Sequence, residues 1–144
     1  MRPESPRDLD RLSPAAKARL STEVVATYLR VRLAMRGGDA EAAVQALRSR
    51  ADRTRVEFDA EGDGPVVAWR LAKASRRVLF NLPGDSRCLF RSLTLMSMLE
   101  RRGVPQRLVI AVRPQPFAAH AWIEVDGQAV LPDADPGYER LLEL

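Results

Sequence analysis

The sequence from residue 118 to residue 133 reads AAHAWIEVDGQAVLPD. Asp126-Gly127 near its centre is a strong signal for a two-residue turn between antiparallel strands. With that turn, Val125 lies opposite Gln128, and every opposed pair of residues has numbers that sum to 253. The segment therefore predicts a β-hairpin whose register is set at the turn.

The predicted register brings two polar side chains together. His120, the only histidine in the chain, lies opposite Asp133. Opposed residues share a face of the sheet with Cβ atoms about 4.5 to 5.5 Å apart, so the carboxylate can accept a hydrogen bond from the imidazole. Trp122 fills the next position on this face. Because Pro132 makes the end of the second strand irregular, Asp135 is the alternative partner.

A helix that precedes the hairpin begins near Cys88, the only cysteine. Its apolar residues nearly encircle the helix, which is typical of a buried central helix. They are Leu89, Phe90, Leu93, Leu95, Met96, Met98 and Leu99. Gly103 is the expected C-terminal cap. Residues 108–112 then predict an interior strand, and residues 113–117 predict a break before the hairpin.

The first half of the chain predicts helices. Ser13-Pro14 and Gly37-Gly38 bound the first helix, and Asp39 caps a second one that ends near residue 51. Pro65 opens a third helix, which ends near residue 81. The first helix has one apolar face, made of Leu20, Val24, Tyr28, Val31 and Met35. Helices followed by a small antiparallel sheet predict the α+β class.

Composition narrows the class of protein. A chain of 144 residues that is 46% apolar is one globular domain. One cysteine excludes an intrachain disulfide, and one cysteine with one histidine is too few for a zinc site, so we expect no metal or cofactor. No segment approaches the roughly 18 apolar residues of a membrane helix, and the N-terminus does not resemble a signal peptide. We therefore expect a cytoplasmic protein.

Positive charge is concentrated in the first half of the chain. Residues 1–77 carry 16 basic and 11 acidic side chains, whereas residues 78–144 carry 7 and 8. Arginine, which dominates the basic residues, suits the recognition of carboxylates and phosphates, although arginines also solvate helix faces. A noncatalytic basic binding module therefore remains an alternative, and nucleic-acid binding is not expected.

Cys88 and His120 form a candidate catalytic pair. In the first turn of a helix, free backbone N–H groups and the helix dipole favour a thiolate over a thiol. An approaching His120 would act as general acid and base, with Asp133 orienting its ring. The backbone N–H of Cys88 is a candidate oxyanion donor. Taken singly, such residues are more often structural, but the order of helix, strand and hairpin favours a triad.

Three further residues are candidate substrate contacts. Arg91 lies three positions after Cys88 on the same side of the helix, where it binds substrate or an acidic partner, or else forms a structural ion pair. Phe117 precedes His120 in a proline-rich loop. It either lines the active-site cleft or fills a gap in the hydrophobic core as a core plug. Trp122 either shields the hydrogen bond between His120 and Asp133 from water or serves only in side-chain packing.

Four segments resemble the transglutaminase-like peptidases of lasso-peptide biosynthesis. They occur in the family's order and lie within residues 65–135. They are CLFRSL at 88–93, RGVP at 102–105, LVIAV at 108–112 and FAAHAWIEVDG at 117–127. The resemblance implies a papain/transglutaminase-like core over residues 65–144, with residues 1–64 as a helical N-terminal portion of the same domain.

The resemblance also implies an activity and partners. Cys88 would be the nucleophile, His120 the acid and base, and Asp133 or Asp135 the third member. The implied enzyme is a cysteine peptidase that removes the leader from a ribosomally made lasso-peptide precursor through an acyl-enzyme thioester. Residues 1–64 do not fit the leader-recognition domain of some members, so the implied partners are the precursor, a separate leader-binding protein and an ATP-dependent cyclase. An acyl- or amide-transferring enzyme with the same triad is the other alternative.

Overall fold

The fold places a group of helices before a small antiparallel sheet, which confirms the predicted α+β class. The computed structural model describes residues 12–55, 64–80, 87–130 and 137–144. The helices are α1 (Pro14–Ala34), with a 3₁₀ turn at Met35–Gly37, then α2 (Ala40–Arg53), α3 (Gly64–Leu79) and α4 (Arg87–Arg101). The strands are β1 (Arg107–Pro114), β2 (Phe117–Val125), β3 (Gln128–Ala129) and β4 (Glu139–Glu143). None of the helices within those ranges is long and apolar enough to cross a membrane.

The first helix begins and ends at the predicted signals, and the second begins at its predicted cap and ends at Arg53, two residues beyond the predicted end. The side-chain oxygen of Ser13 accepts a hydrogen bond from the backbone N–H of Ala16 at 3.2 Å. Gly38, with a φ of +74°, ends the 3₁₀ turn in the left-handed region. The carboxylate of Asp39 caps α2 by accepting two backbone hydrogen bonds, at 3.0 and 3.2 Å. Local capping chemistry therefore fixes these boundaries.

Helix α4 is the centre of the molecule. It packs against α1, α2, α3, β1 and β2, and every residue from 92 to 99 is buried. After the helix, Gly103 has a φ of +65°, and the backbone N–H of Val104 donates to the carbonyl of Leu99 at 3.1 Å. The prediction of a central helix, apolar almost all round and ended by Gly103, is confirmed.

The predicted apolar face of α1 packs against this centre. Val24 and Val31 are fully buried, and Leu20, Tyr28 and Met35 are partly buried against the same core. The core continues through the inner faces of α2 and α3 to Leu108 and Ile123 of the sheet. One continuous apolar core therefore joins the helices to the sheet.

The sheet has the strand order β3-β2-β1-β4, and all neighbouring strands are antiparallel. The predicted break at 113–117 is wrong, because β1 continues to Pro114, pairs there with Phe117, and turns through Gln115-Pro116. Both prolines lie at the strand end or in the turn, where a missing N–H disturbs the ladder least. What the sequence suggested as a loop is a tight hairpin.

The second hairpin has the predicted register. Asp126 and Gly127 have φ angles of +52° and +75°, as a type I′ turn requires. The pairing follows the predicted register as far as the backbone N–H of Val130, which donates to the carbonyl of Ile123 at 2.9 Å. Residues 131–136, with the remaining predicted pairs, lie outside the described residues.

Strand β4 was not predicted. It pairs with the far edge of β1, and two hydrogen bonds of 2.8 Å between the backbones of Leu108 and Leu144 extend the pairing. Its sequence, ERLLE, contains no β-branched residue and no regular alternation, so it resembles a helix segment as much as a strand. The strand therefore depends on its partner rather than on local preference.

An ion pair fastens α1 to the end of α4. The guanidinium of Arg102 donates to both carboxylate oxygens of Glu23, at 2.7 and 2.8 Å, and Arg101 adds a third hydrogen bond at 3.1 Å. The side chains of Glu23 and Arg102 are only 17% and 15% exposed. Because the geometry is bidentate and partly shielded from water, this pair contributes more than an ordinary surface pair.

We expect Glu23→Gln to lower the free energy of unfolding by about 2 kcal/mol, because two guanidinium groups lose their charged acceptor in a partly buried site. Urea denaturation followed by circular dichroism measures this change. Asp52→Asn is the control, since the Asp52–Arg55 pair is exposed and 3.5 Å long, and the expected change is below about 0.5 kcal/mol. Equal effects of the two substitutions would contradict a stabilising role for the Glu23 pair.

Candidate active site

A pocket lies where α3, α4 and β2 meet. Cys88 from α4 and His120 from β2 both line it, so two of the predicted catalytic side chains come together. Residues of both faces of β2 contribute to its lining. The other lining residues are Ala72, Ser75, Arg76, Arg91, Ser92, Leu95, Ala121, Trp122 and Ile123.

Cys88 is the second residue of α4. Its thiol is free and half-buried, and it lines the pocket. In the first turn of a helix the backbone N–H groups have no acceptor within the helix, and such groups commonly bind anions. The candidate nucleophile is thus attached to the rigid, central helix rather than to a loop.

One buried hydrogen bond holds α4 against β2 beside the pocket. The hydroxyl of Ser92 donates to the carbonyl of Ala121 at 3.0 Å. Ser92 lies one helical turn after Cys88, and Ala121 follows His120, so this bond joins the two elements that carry the catalytic candidates. Sequence reasoning missed Ser92, whose signal was a hydroxyl within a helix predicted to be buried, where it needs an acceptor.

His120 is held between two aromatic rings. Its ring centroid lies 5.7 Å from that of Trp122, with the planes 28° apart, and 5.8 Å from that of Tyr138, with the planes 49° apart. The Nε2 atom of His120 is buried and has no hydrogen-bond partner in the part of the chain that the structure describes. Both candidate acids, Asp133 and Asp135, fall outside that part.

Trp122 is in turn fixed by a buried carboxylate. Its indole N–H donates to Oε1 of Glu124 at 3.0 Å. Glu124 is 7% exposed and also accepts hydrogen bonds from the Arg140 guanidinium, at 2.6 and 3.3 Å. His120, Trp122 and Glu124 alternate along β2 and therefore share one face. Sequence reasoning missed Glu124, whose signal was an acid at alternate spacing from the histidine on a predicted strand.

Arg140 extends this network across the sheet. It donates to Glu143 at 2.9 Å, and Arg107 donates to the other oxygen of Glu143 at 2.9 Å. The hydrogen bond from Arg140 lowers the pKa of the Glu143 carboxyl, and the hydrogen bonds to Glu143 and Glu124 raise the pKa of Arg140. Arg140 and Glu143 therefore stay charged at neutral pH.

The three predicted substrate contacts are placed differently. Trp122 and Arg91 line the pocket, and the structural ion pair considered for Arg91 is not found with any described residue. Phe117 does not line the pocket, because it begins β2 beside the hairpin turn and is 78% exposed. It is not a core plug either. A contact between Phe117 and substrate stays a prediction, and it would lie outside this pocket.

Comparison with known proteins gives a family match and a partial relative. A family model described as the transglutaminase-like superfamily matches residues 23–143. A segment of 45 residues is 47% identical to the microcin J25-processing protein McjB of Escherichia coli. That segment is 31% of this chain and 22% of the relative, so the chain aligns with about a fifth of the curated protein. No solved structure matches the chain significantly.

We expect Glu124→Gln to lower the free energy of unfolding by roughly 1.5 to 3 kcal/mol, because a buried charged acceptor of two side chains is lost. Urea denaturation measures the change. Glu143→Gln is the matched control, since Glu143 pairs with the same Arg140 but at an exposed position, and we expect an effect below about 1 kcal/mol. A smaller effect of Glu124→Gln than of the control would contradict the anchoring role of Glu124.

Proposed function

The chain belongs to the transglutaminase-like superfamily, and on this basis we propose that it is a cysteine peptidase that removes the leader from a lasso-peptide precursor. The observation that carries the proposal is the shared pocket of Cys88 and His120, the only cysteine and the only histidine in the chain. A thiol and an imidazole in one pocket are the minimum required for nucleophilic catalysis by cysteine.

The proposed substrate class follows from the relative. The matched protein of Escherichia coli is described as processing microcin J25, and the identity to it is 47% over the aligned segment. Processing of a precursor peptide is therefore the activity we carry to this chain. The match is partial, so the partners are also proposals: the precursor's leader, a separate leader-binding protein and an ATP-dependent cyclase.

Cys88 supplies the nucleophile in the proposed reaction. The sulfur reacts as a thiolate once His120 has taken its proton. The thiolate attacks the scissile carbonyl, a C–S bond forms, and the carbonyl oxygen becomes an oxyanion. The backbone N–H of Cys88 is the proposed donor to that oxyanion.

His120 moves the protons in the proposed reaction. It takes the thiol proton and gives it to the departing amine, so the C–N bond breaks and a thioester remains on Cys88. The same imidazole then removes a proton from water as the water attacks the thioester. The sulfur leaves, and one water molecule has been consumed for each bond cleaved.

The third member of the proposed triad is Asp133. The hairpin register, followed as far as Val130, puts Asp133 opposite His120 if it continues without a bulge. The buried imidazole nitrogen has no partner among the described residues, which favours such a carboxylate, because buried polar atoms are normally hydrogen-bonded. With Nε2 bound in this way, Nδ1 is free to exchange a proton with Cys88. Asp135 is the alternative, should the strand contain a bulge.

We expect Cys88→Ala and His120→Ala to lower precursor cleavage by roughly a thousandfold or more, because each removes an essential group of the nucleophilic pair. Intact precursor, the leader-binding protein and each variant are incubated together, and the products are weighed by mass spectrometry. The two wild-type fragments should together exceed the precursor by one water. Arg77→Ala, an exposed substitution on α3 outside the pocket, should cleave normally.

Two outcomes would contradict the peptidase proposal. Undiminished maturation with Cys88→Ala would favour a noncatalytic binding module that uses the basic half of the chain. A product in which an added amine replaces water at the new carboxyl end would identify an acyl- or amide-transferring enzyme with the same nucleophile.

We expect Asp133→Asn to lower cleavage by roughly 10²- to 10⁴-fold, because the amide no longer stabilises the imidazolium or the correct tautomer of His120. Asp135→Asn should stay close to wild type in the same assay. If Asp135→Asn lowers cleavage and Asp133→Asn does not, Asp135 is the third member of the triad. Normal activity of both variants would remove the carboxylate from the proposed triad.

A further inference from the structure

Two arginines share the pocket with Cys88. Arg76 lies on α3 and is exposed, so it reaches the rim of the pocket, and Arg91 lies on α4 and is half-buried. Neither side chain has a hydrogen bond or ion pair with any residue that the structure describes. The described lining of the pocket includes no carboxylate. The pocket therefore carries two positive charges that no described acid neutralises.

The other half-buried arginines of the described residues have a partner within the protein. The side chains of Arg101 and Arg102 are 23% and 15% exposed, and both bind Glu23. Arg48 lies 3.8 Å from Glu100, and Arg113 donates to the carbonyl of Pro116 at 3.4 Å. Charged groups that lose water on folding normally gain a partner of opposite charge. Arg91 has no such partner among the described residues, and this is the observation that favours a ligand in the pocket.

The position of Arg91 limits where such a ligand lies. Residues three apart on a helix have Cβ atoms about 5 to 6 Å apart, so the base of the Arg91 side chain is one turn from Cys88. An extended peptide advances about 3.3 Å per residue. A group that reaches the Arg91 guanidinium while the scissile carbonyl is at Cys88 therefore belongs to a residue close to the cleaved bond.

We propose that Arg76 and Arg91 form a carboxylate subsite beside Cys88, which binds an acidic side chain within about two residues of the scissile bond. Guanidinium groups bind carboxylates through paired, charge-assisted hydrogen bonds, and Arg76 and Arg91 line the same pocket from neighbouring helices. The peptide nature of the ligand rests on the proposed function. The existence of an anion subsite does not rest on the proposed function, because it can be tested through the reactivity of the Cys88 thiol alone.

The single cysteine makes that test direct. Iodoacetate and iodoacetamide alkylate only Cys88, and they differ by one negative charge. The ratio of their rates cancels any change in the reactivity of the thiol itself and reports the electrostatic field at the sulfur. We expect Arg76→Ala and Arg91→Ala each to lower the iodoacetate-to-iodoacetamide ratio roughly threefold at low salt, and the double variant roughly tenfold.

Controls separate this effect from loss of structure. Arg77→Ala removes a neighbouring exposed charge that does not line the pocket, so it should leave the ratio close to wild type. Arg91→Lys keeps the charge and should retain most of the ratio. Added salt should lower the wild-type ratio because it screens the attraction. A double variant with the wild-type ratio and a native circular dichroism spectrum would overturn the subsite.

Peptide cleavage tests the nature of the carboxylate. In quenched peptides with Glu or Gln at each of the two positions on either side of the cleaved bond, we expect one Glu position to raise kcat/KM roughly tenfold over Gln. The preference should disappear in the double variant. Equal cleavage of all Glu and Gln peptides would contradict binding of an acidic substrate side chain in the subsite. It would favour binding of the terminal carboxylate of the product instead. Absence of any cleavage would count against the proposed peptidase, while the alkylation ratio still decides the anion subsite.

Discussion

The packing of α4 against β2 is the contact on which the site depends. A hydroxyl of Ser92 and a carbonyl of Ala121 form a buried hydrogen bond of 3.0 Å within a continuous apolar core. Because Cys88 lies one turn before Ser92, and His120 directly precedes Ala121, the same contact fixes both catalytic candidates. A shift of the helix by one turn, about 5.4 Å, would change which residues of α4 face the pocket. The surrounding helices serve to hold α4 in this position.

Contacts within the sheet hold the His120 ring in place. His120 lies between the rings of Trp122 and Tyr138, and Glu124 fixes the indole through a hydrogen bond of 3.0 Å. Arg140 holds the carboxylate of Glu124 from the neighbouring part of the sheet. The imidazole is therefore supported by partners from two strands and the segment before β4. Such supporting contacts keep the imidazole in one orientation, which the proposed proton transfer requires.

Much of this arrangement follows from local patterns in the sequence. The central burial of α4 follows from apolar residues on all sides, and the hairpin register follows from Asp126-Gly127. What the sequence does not predict depends on residues far apart in the chain. Strand β4 forms because β1 offers an edge, and Ser92 matters because of an acceptor 29 residues away. The Glu124 network likewise needs Arg140, which no local pattern assigns to a strand.

The most direct measurement uses the fact that the chain has one cysteine and one histidine. The ring C–H signals of His120 are therefore unambiguous in a proton NMR spectrum, and iodoacetamide modifies Cys88 alone. If the sulfur and the imidazole share one pocket, alkylation of Cys88 shifts both ring signals of His120, while most of the backbone spectrum stays unchanged. Ring signals that do not move on complete alkylation would contradict the convergence of Cys88 and His120.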